Sequence, residues 1–438
     1  MKTKLLILAM LAVPFASKAQ FGGLLKRVQN TAAEAVGRKA DQATEGAVNG
    51  ALEKKPKKEK QTPAPVAENP SSLAATATAT APATPQNQDQ FKAYSRFDFV
   101  PGEKIIYADD FAQDAVGEFP LQWTTKGHGE VMTLSEQQGK WLRGFKNTTI
   151  TSVNPNELGD NYTVEFDMIY YFGAKEAVYV MPDIAIRLLN NYSVNFKNAS
   201  GNVSERAGEQ SYQFVIHPKE EGSLAWVESH GTTPEFSSEK ATVNSFSKMY
   251  NQPVHYAIQV QKSRLRIWMN EKKVFDLPQA INSTKKPARI AFEFGHTSYD
   301  DEEVGYYVSN IRMAAGNADT RHKLLETGSF TTSGILFDVN SNVIKPQSFG
   351  ILNEMAKVLT DNPTVRIKIT GHTSADGNAS ANLDLSKSRA QAVKDFMVKA
   401  NIDAARIETT GLGDSKPVAP NTTQAGRVQN RRVEFTKL

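Results

Sequence analysis

Two carboxylates, Glu165 and Asp167, sit two apart in the alternating segment Tyr162 to Tyr170, so a strand there places both on one face. A carboxyl pair about 5 to 5.5 Å apart is what retaining glycoside hydrolysis uses. The same spacing also describes polar residues on the outward face of a strand whose Val164, Phe166 and Met168 turn inward. A run of acids, Asp300 to Glu303, offers oxygen ligands of the kind calcium takes. Consecutive side chains on extended chain alternate in direction, however, and a coordinating loop normally adds carbonyls and a glycine turn, so a solvated acidic loop is expected. The seven histidines show no paired metal spacing, and neither a Gly-x-Ser-x-Gly elbow nor a glycine-rich phosphate loop follows a strand. No cofactor and no metal site are expected, and the chain is read as a binding protein, not an enzyme.

The elements that would hold these residues fall into five stretches, because 438 residues exceed the roughly 250 to 300 that one core serves. The chain opens with Lys2 and Lys4, runs apolar from Leu5 to Phe15, and presents small Ser17 and Ala19 at the positions a signal peptidase reads. Residues 1–19 therefore read as a signal peptide, too short in its apolar part to span a bilayer at about 20 residues per crossing. Export to the periplasm is expected. The absence of cysteine excludes a lipidated amino terminus, disulfides and thiolate metal sites. Lysine plus arginine number 51 against 47 acids, too small an excess to call for a nucleic-acid partner.

Residues 20–60 are rich in Ala, Lys and Glu, with Leu25, Val28, Ala32, Ala35 and Val36 at loose helical spacing, interrupted by Gly37, Gly46 and Gly50. A disordered or weakly amphipathic helical arm is expected, and contact with the outer membrane stays open. The Pro/Ala/Thr-rich stretch 61–90 cannot bury enough apolar surface to offset chain entropy and reads as a linker. Residues 91–315 are short alternating segments with turn residues between them, as at Asn154-Pro155 and Asn198 to Gly201. They predict an all-β antiparallel sandwich of the jelly-roll kind; a lipid-facing barrel needs longer strands with an unbroken apolar row.

Residues 328–438 alternate strands and helices, an α+β unit of βαβαβ type. Strands are expected at Ile335 to Val339, Val365 to Thr370 and Arg432 to Thr436. Helices are expected over Pro346 to Leu359, with Phe349, Leu352, Met355, Ala356 and Leu359 on one face, and over Leu385 to Ala400.

Four blocks in this last stretch carry a resemblance. They are Ile335-Leu-Phe-Asp-Val-Asn-Ser341 with Ile344-Lys-Pro346; Gly371-His-Thr373; Asn382 through Leu385-Ser386 to Arg389-Ala390; and Gly411-Leu-Gly413 leading to Asn430-Arg-Arg-Val-Glu434. Together they resemble the OmpA-like carboxyl-terminal domain of outer-membrane proteins, peptidoglycan-associated lipoproteins and flagellar stator proteins. The resemblance implies binding of the peptidoglycan stem peptide, whose diaminopimelate ends in an ammonium and a carboxylate on one carbon.

In that family an arginine on the second helix grips the carboxylate, which a guanidinium fork can do with two parallel hydrogen bonds. The matching residue is Arg389; on position alone it would be a solvated helix-face arginine. The family aspartate that receives the ammonium is replaced by Ser374, which accepts a hydrogen bond without charge, so Ser374→Asp is expected to tighten binding. Asp376 reads either as its substitute or as the Asp-Gly of a turn. Thr373 and Asn382 match pocket-lining positions, or serve as turn residue and helix cap; Arg431 borders the site, or is strand-edge charge.

Asp109-Asp-Phe111, Gly117 to Pro120, Trp123, Gly139-Lys-Trp141 and the hairpin Arg266 to Asn270 with Val274 to Pro278 resemble laminin-G and concanavalin-like sandwiches. That resemblance implies a carbohydrate or an envelope protein as partner. Tyr170, Tyr171, Trp226 and Trp268 are aromatics that would stack on sugar rings if exposed, and are core or strand-pair packing if not. Catalytic relatives add a glutamate four or five residues after the first acid, where this chain has Ile169 and Tyr170. The resulting expectation is an exported protein bound to peptidoglycan and associated with the outer membrane. A glycan hydrolase with a wall-binding module, and a protein-binding scaffold, stand as alternatives.

Overall fold

Alternating β-branched and aromatic residues build the strands that precede residue 316. They are β1 (Lys104–Asp109), β2 (Trp123–Thr125), β3 (Gly129–Leu134), β4 (Gln137–Gly144), β5 (Thr148–Ser152), β6 (Asn161–Phe172), β7 (Ile184–Asn190) and β8 (Ser211–His217). There follow β9 (Ser223–His230), β10 (Ala241–Val243), β11 (Pro253–Gln261), β12 (Arg264–Met269), β13 (Lys272–Leu277), β14 (Pro287–Phe294) and β15 (Val304–Ala315). The structure is a computed structural model that describes residues 97–438, apart from 155, 176–178, 180, 191–210, 220, 231–235, 245, 283–285 and 317–318. The expected signal peptide, helical arm, linker and Asn198 to Gly201 turn lie outside the described residues.

One sheet has the order β13-β12-β11-β6-β15-β4-β3, with β1 also pairing β15; the other has the order β10-β9-β8-β7-β14-β5-β2. All pairings in both are antiparallel. Period-two alternation turns Val164, Phe166 and Met168 of β6 toward Ile184, Ile186 and Leu188 of β7, and one core takes both sets. Phe166 sits between the sheets, stacked on Tyr256 at 4.9 Å and edge-on to Phe292 at the same distance. Each such side chain removed from water contributes about 1.5 to 3 kcal/mol. The predicted hairpin is present as β12 and β13.

Beyond residue 316 come α1 (Thr320–Leu325), β16 (Ser329–Thr332), α2 (Phe349–Asp361), β17 (Ile367–His372), α3 (Ala379–Lys399), β18 (Ile407–Gly413), α4 (Gln424–Asn430) and β19 (Val433–Lys437). Their sheet runs β16-β19-β17-β18, with β17 and β18 parallel across α3. Leu352, Met355 and Leu359 of α2 and Ala390, Val393 and Met397 of α3 cover Ile367, Ile369 and Phe435. The expected strand at Ile335 to Val339 is not a strand. Only Phe337 bridges, to Ile344, because the chain turns back through Asp338 to Val343, leaving ladder pairing to β16. Helix α3 starts two turns before the expected Leu385, at the side-chain cap of Asn378 on Ser380 and Ala381.

Glu165 and Asp167 do share the outward face of β6, as alternation requires, but Glu165 there is buried, 4% exposed, and Asp167 is half-buried. A bulge in β15 between Ser309 and Arg312, with Asn310 in the left-handed region at φ 53°, sets Arg312 opposite Glu165. Arg312 donates from Nη2 (2.6 Å) and Nε (3.0 Å) to Glu165 Oε1, and from Nη1 to the carbonyl of Ser333 beyond the sandwich at 2.7 Å. His255 Nδ1 lies 2.7 Å from Asp167 Oδ1, its Nε2 lies 3.7 Å from Glu165, and Asn310 donates to Asp167 Oδ2 at 2.7 Å.

Residues 97 to 103 lie over the same sheet. Phe97 and Phe99 cover Trp268 edge-on, and Gly102 donates its amide to Thr163 Oγ1 at 2.8 Å. On their other side, a Cβ on Gly350 would fall 2.0 Å from the Phe99 carbonyl oxygen. The helix that begins α2 therefore sits directly on that backbone, which a side chain at 350 would prevent.

Burial alone would lower the affinity of His255 for its proton; Asp167 and Glu165 outweigh it and lift the pKa to about 9. Since the folded value exceeds the ordinary one near 6.5, this contribution to stability is complete below that pH and disappears as pH rises through about 9. Denaturant unfolding between pH 6 and 10 should show stability falling over that window, and His255→Gln should flatten the slope. Arg312→Ala should cost about 3 to 5 kcal/mol, because it leaves Glu165 buried without its cation.

Candidate functional site

Helix α3 reaches the parallel strands so closely that glycine is needed beneath it. A Cβ on Gly371 would lie 2.2 Å from the Ser386 carbonyl oxygen, and one on Gly411 would lie 2.3 Å from the Lys387 amide nitrogen. Ser386 Oγ accepts from the Gly413 amide at 2.9 Å, and the Thr373 amide donates to the Gly413 carbonyl at 2.9 Å. This contact places Arg389, one turn beyond Ser386, over the end of the sheet.

There the Arg389 guanidinium lies 4.9 Å above the Phe337 ring and donates to the carbonyls of Ser341 (Nε, 3.0 Å) and Asp338 (Nη2, 3.4 Å). Those acceptors are neutral backbone groups, and among the described residues no carboxylate pairs with Arg389. Burial, and then the like charge of Arg431, push its pKa down to about 10, so it stays protonated at neutral pH. It lines a cavity of about 100 Å³ with Phe337, His372, Arg431 and Arg432.

Arg432 is neutralised. Its Nε (2.9 Å) and Nη2 (2.6 Å) both donate to Glu434 Oε1, and His372 Nε2 lies 3.4 Å from the same oxygen. His372, then Arg432, hold the Glu434 carboxyl down at about 2. Arg431 is held loosely: its Nη1 is 3.7 Å from Asp376 Oδ2 and its Nη2 is 4.0 Å from Asp110 Oδ2. Burial lowers its pKa, opposed by those two acids. An excess of positive charge with room beside it suits a carboxylate.

The loop after β17 holds the remaining candidates. Ser374, 4% exposed, donates its hydroxyl to Asp376 Oδ2 at 2.8 Å, leaving Asp376 itself largely exposed. Asn382 is not the cap of α3; one turn in, its Nδ2 donates to the carbonyls of Asp376 (3.0 Å) and Ser374 (3.4 Å) and holds the loop. Thr373 is buried with its hydroxyl unpartnered. Thus Arg389 and Arg431 share the cavity, Arg431 links it to Asp376, and Ser374 and Asn382 act on Asp376. Not singled out from the sequence were His372, Glu434 and Asn421, whose Oδ1 accepts from the Ala375 amide at 3.2 Å. The first two stood inside the quoted motif blocks, whereas nothing in the sequence marked Asn421.

In the sandwich, Tyr170 and Trp268 are core and cannot stack on a ligand, while Tyr171 is exposed and Lys240 lies 4.5 Å over the Trp226 ring. Glu165 is buried against Arg312, and Asp167 is bonded to His255 and Asn310, so both carboxylates of the pair already have partners. In the acidic run the Asp300 amide donates to Glu303 Oε2 at 3.0 Å, so the turn closes on itself. No metal-binding group of three or more His, Asp or Glu occurs among the described residues.

This architecture, with a helix-borne arginine over the end of a mixed sheet, is an OmpA-family domain: residues 336–431 match the model described as the OmpA family. The chain is 37% identical over 144 residues to the probable lipoprotein YiaD of Escherichia coli (strain K12), covering 30% of this chain and 64% of that protein. It is 38% identical over 105 residues to the peptidoglycan-binding protein ArfA of Mycobacterium tuberculosis (strain ATCC 25618 / H37Rv), covering 24% and 32%. The peptidoglycan-associated lipoprotein structure from Burkholderia pseudomallei is 29% identical, over 27% of this chain and 98% of that one, with a TM-score of 0.24. The chain thus spans less than two thirds of these two curated relatives.

Ser374→Asp would put a second carboxylate beside Asp376, where the hydroxyl now donates. Two acids so close do not both ionise freely, so one should titrate above the ordinary range. The tighter binding expected from the family pattern would then be offset near neutral pH. Carboxyl NMR titration of the variant checks this; two unperturbed titrations would overturn the geometry.

Proposed function

We propose that this protein binds peptidoglycan non-covalently through the diaminopimelate of the stem peptide, and so holds an exported, outer-membrane-associated envelope protein to the cell wall. The observation that carries the reading is Arg389: a protonated guanidinium at a cavity, fixed by an aromatic face and two carbonyls, with no carboxylate paired to it among the described residues. The family match and the similarity to ArfA, a peptidoglycan-binding protein, support it. In this reading Arg389 takes the ligand carboxylate and Arg431 borders it. Asp376, oriented by Ser374 and Asn382, faces the ammonium, and Thr373 shapes the loop.

The binding domain is taken as residues 328–438 and the sandwich as 91–315. The repeated crossing of the chain between the two sheets supports a jelly-roll of concanavalin-like type for the latter. Its partner is a carbohydrate or an envelope protein. The role is attachment rather than turnover, a reading supported by the covered state of Glu165 and Asp167.

Arg389→Ala should reduce retention on isolated sacculi by about tenfold or more, the loss of a charge-assisted bidentate contact, with thermal unfolding unchanged. Equal retention of the folded variant would count against this pocket. Retention that free diaminopimelate fails to compete would favour a protein ligand instead.

A further inference from the structure

The candidate site is not confined to the carboxyl-terminal domain. Asp110 belongs to the sandwich, immediately after β1, and its Oδ2 lies 4.0 Å from Arg431 Nη2, across the guanidinium from Asp376 at 3.7 Å. It is no stray surface acid. Its Oδ1 accepts from the Ala112 amide at 3.1 Å, which leaves Oδ2 turned toward Arg431. The strand before it is seated on α4 of the terminal domain: the Ile105 amide donates to Gln429 Oε1 at 2.9 Å, and Ile105 and Ala108 share an apolar patch with Ala425 and Val428.

Both acids stand beyond hydrogen-bonding distance of Arg431, so its N–H groups remain available to a ligand. The cavity also holds buried polar atoms without partners, Arg432 Nη1 and His372 Nδ1, on side chains 4% and 3% exposed. A site that presents one guanidinium without an acid, Arg389, and one only loosely paired, Arg431, beside two carboxylates is matched to a zwitterion.

We infer that Asp110 is a specificity-determining residue of the binding site, supplied by the sandwich. With Asp376 it provides the negative charge that Ser374 lacks. The ligand carboxylate bridges Arg389 and Arg431, and the ammonium on the same carbon faces Asp376 and Asp110. This rests on the peptidoglycan reading above and adds that the sandwich is part of the recognition surface.

The test uses the full mature chain and two synthetic tripeptides measured by calorimetry. One is L-alanyl-γ-D-glutamyl-meso-diaminopimelate; the other replaces its last residue by 2-aminopimelate, which keeps the distal carboxylate and lacks the ammonium. Asp110→Asn should weaken the first about fivefold, the size of a partly exposed charge contact, without weakening the second. Asp110→Glu should restore the wild-type ratio, and Arg389→Ala should lose both ligands. A purely structural role for Asp110 would move both affinities together. Wild-type binding with a ratio unchanged by Asp110→Asn overturns the inference alone; no wild-type binding of either peptide overturns the underlying reading with it.

Discussion

A buried guanidinium holds the described part of this molecule together. Arg312 has one side on Glu165 in the outer face of a sandwich sheet and the other on the Ser333 carbonyl at the start of the terminal domain. Neither charge could be left in so dry a place alone, since removing one partner of a buried pair exposes the full desolvation penalty of the other. His255 completes the cluster, hydrogen-bonded through Nδ1 to Asp167 and near enough to Glu165 to feel its charge. The outcome is a joint with directional bonds, whereas an apolar contact of the same area would tolerate sliding.

That joint matters for the site because it sets where the loop after β1 comes to rest. Asp109 is tied into the sandwich, accepting from the Phe111 amide at 2.9 Å and from the Trp123 indole at 2.9 Å. Its neighbour Asp110 thereby projects toward Arg431. On the opposite side of the cavity the turn from Asp338 to Val343 presents carbonyls to Arg389, whose charge remains uncompensated. The charge balance is graded: among the described residues an acid pairs closely with Arg432, two lie loosely about Arg431, and none pairs with Arg389.

In the terminal domain Ser374 carries no charge of its own, and its hydroxyl orients the carboxylate two residues further on. Asn382 fixes the loop that carries it.

From the sequence alone, alternation determined which face of β6 is apolar, and the helical period determined the core faces of α2 and α3, because both are local consequences of backbone geometry. The motif blocks likewise marked Arg389, Ser374, Asp376 and Asn382, whose relation is set within a short stretch of chain. Tertiary structure alone decided the rest. A one-residue bulge at Asn310 brought Arg312 opposite Glu165, and no propensity pattern encodes that slip. Whether the outward carboxylates met water or a second domain depended on what docked there. Asp110 joined Arg431 only because two surfaces distant in sequence were brought together by packing, which spacing along the chain does not record.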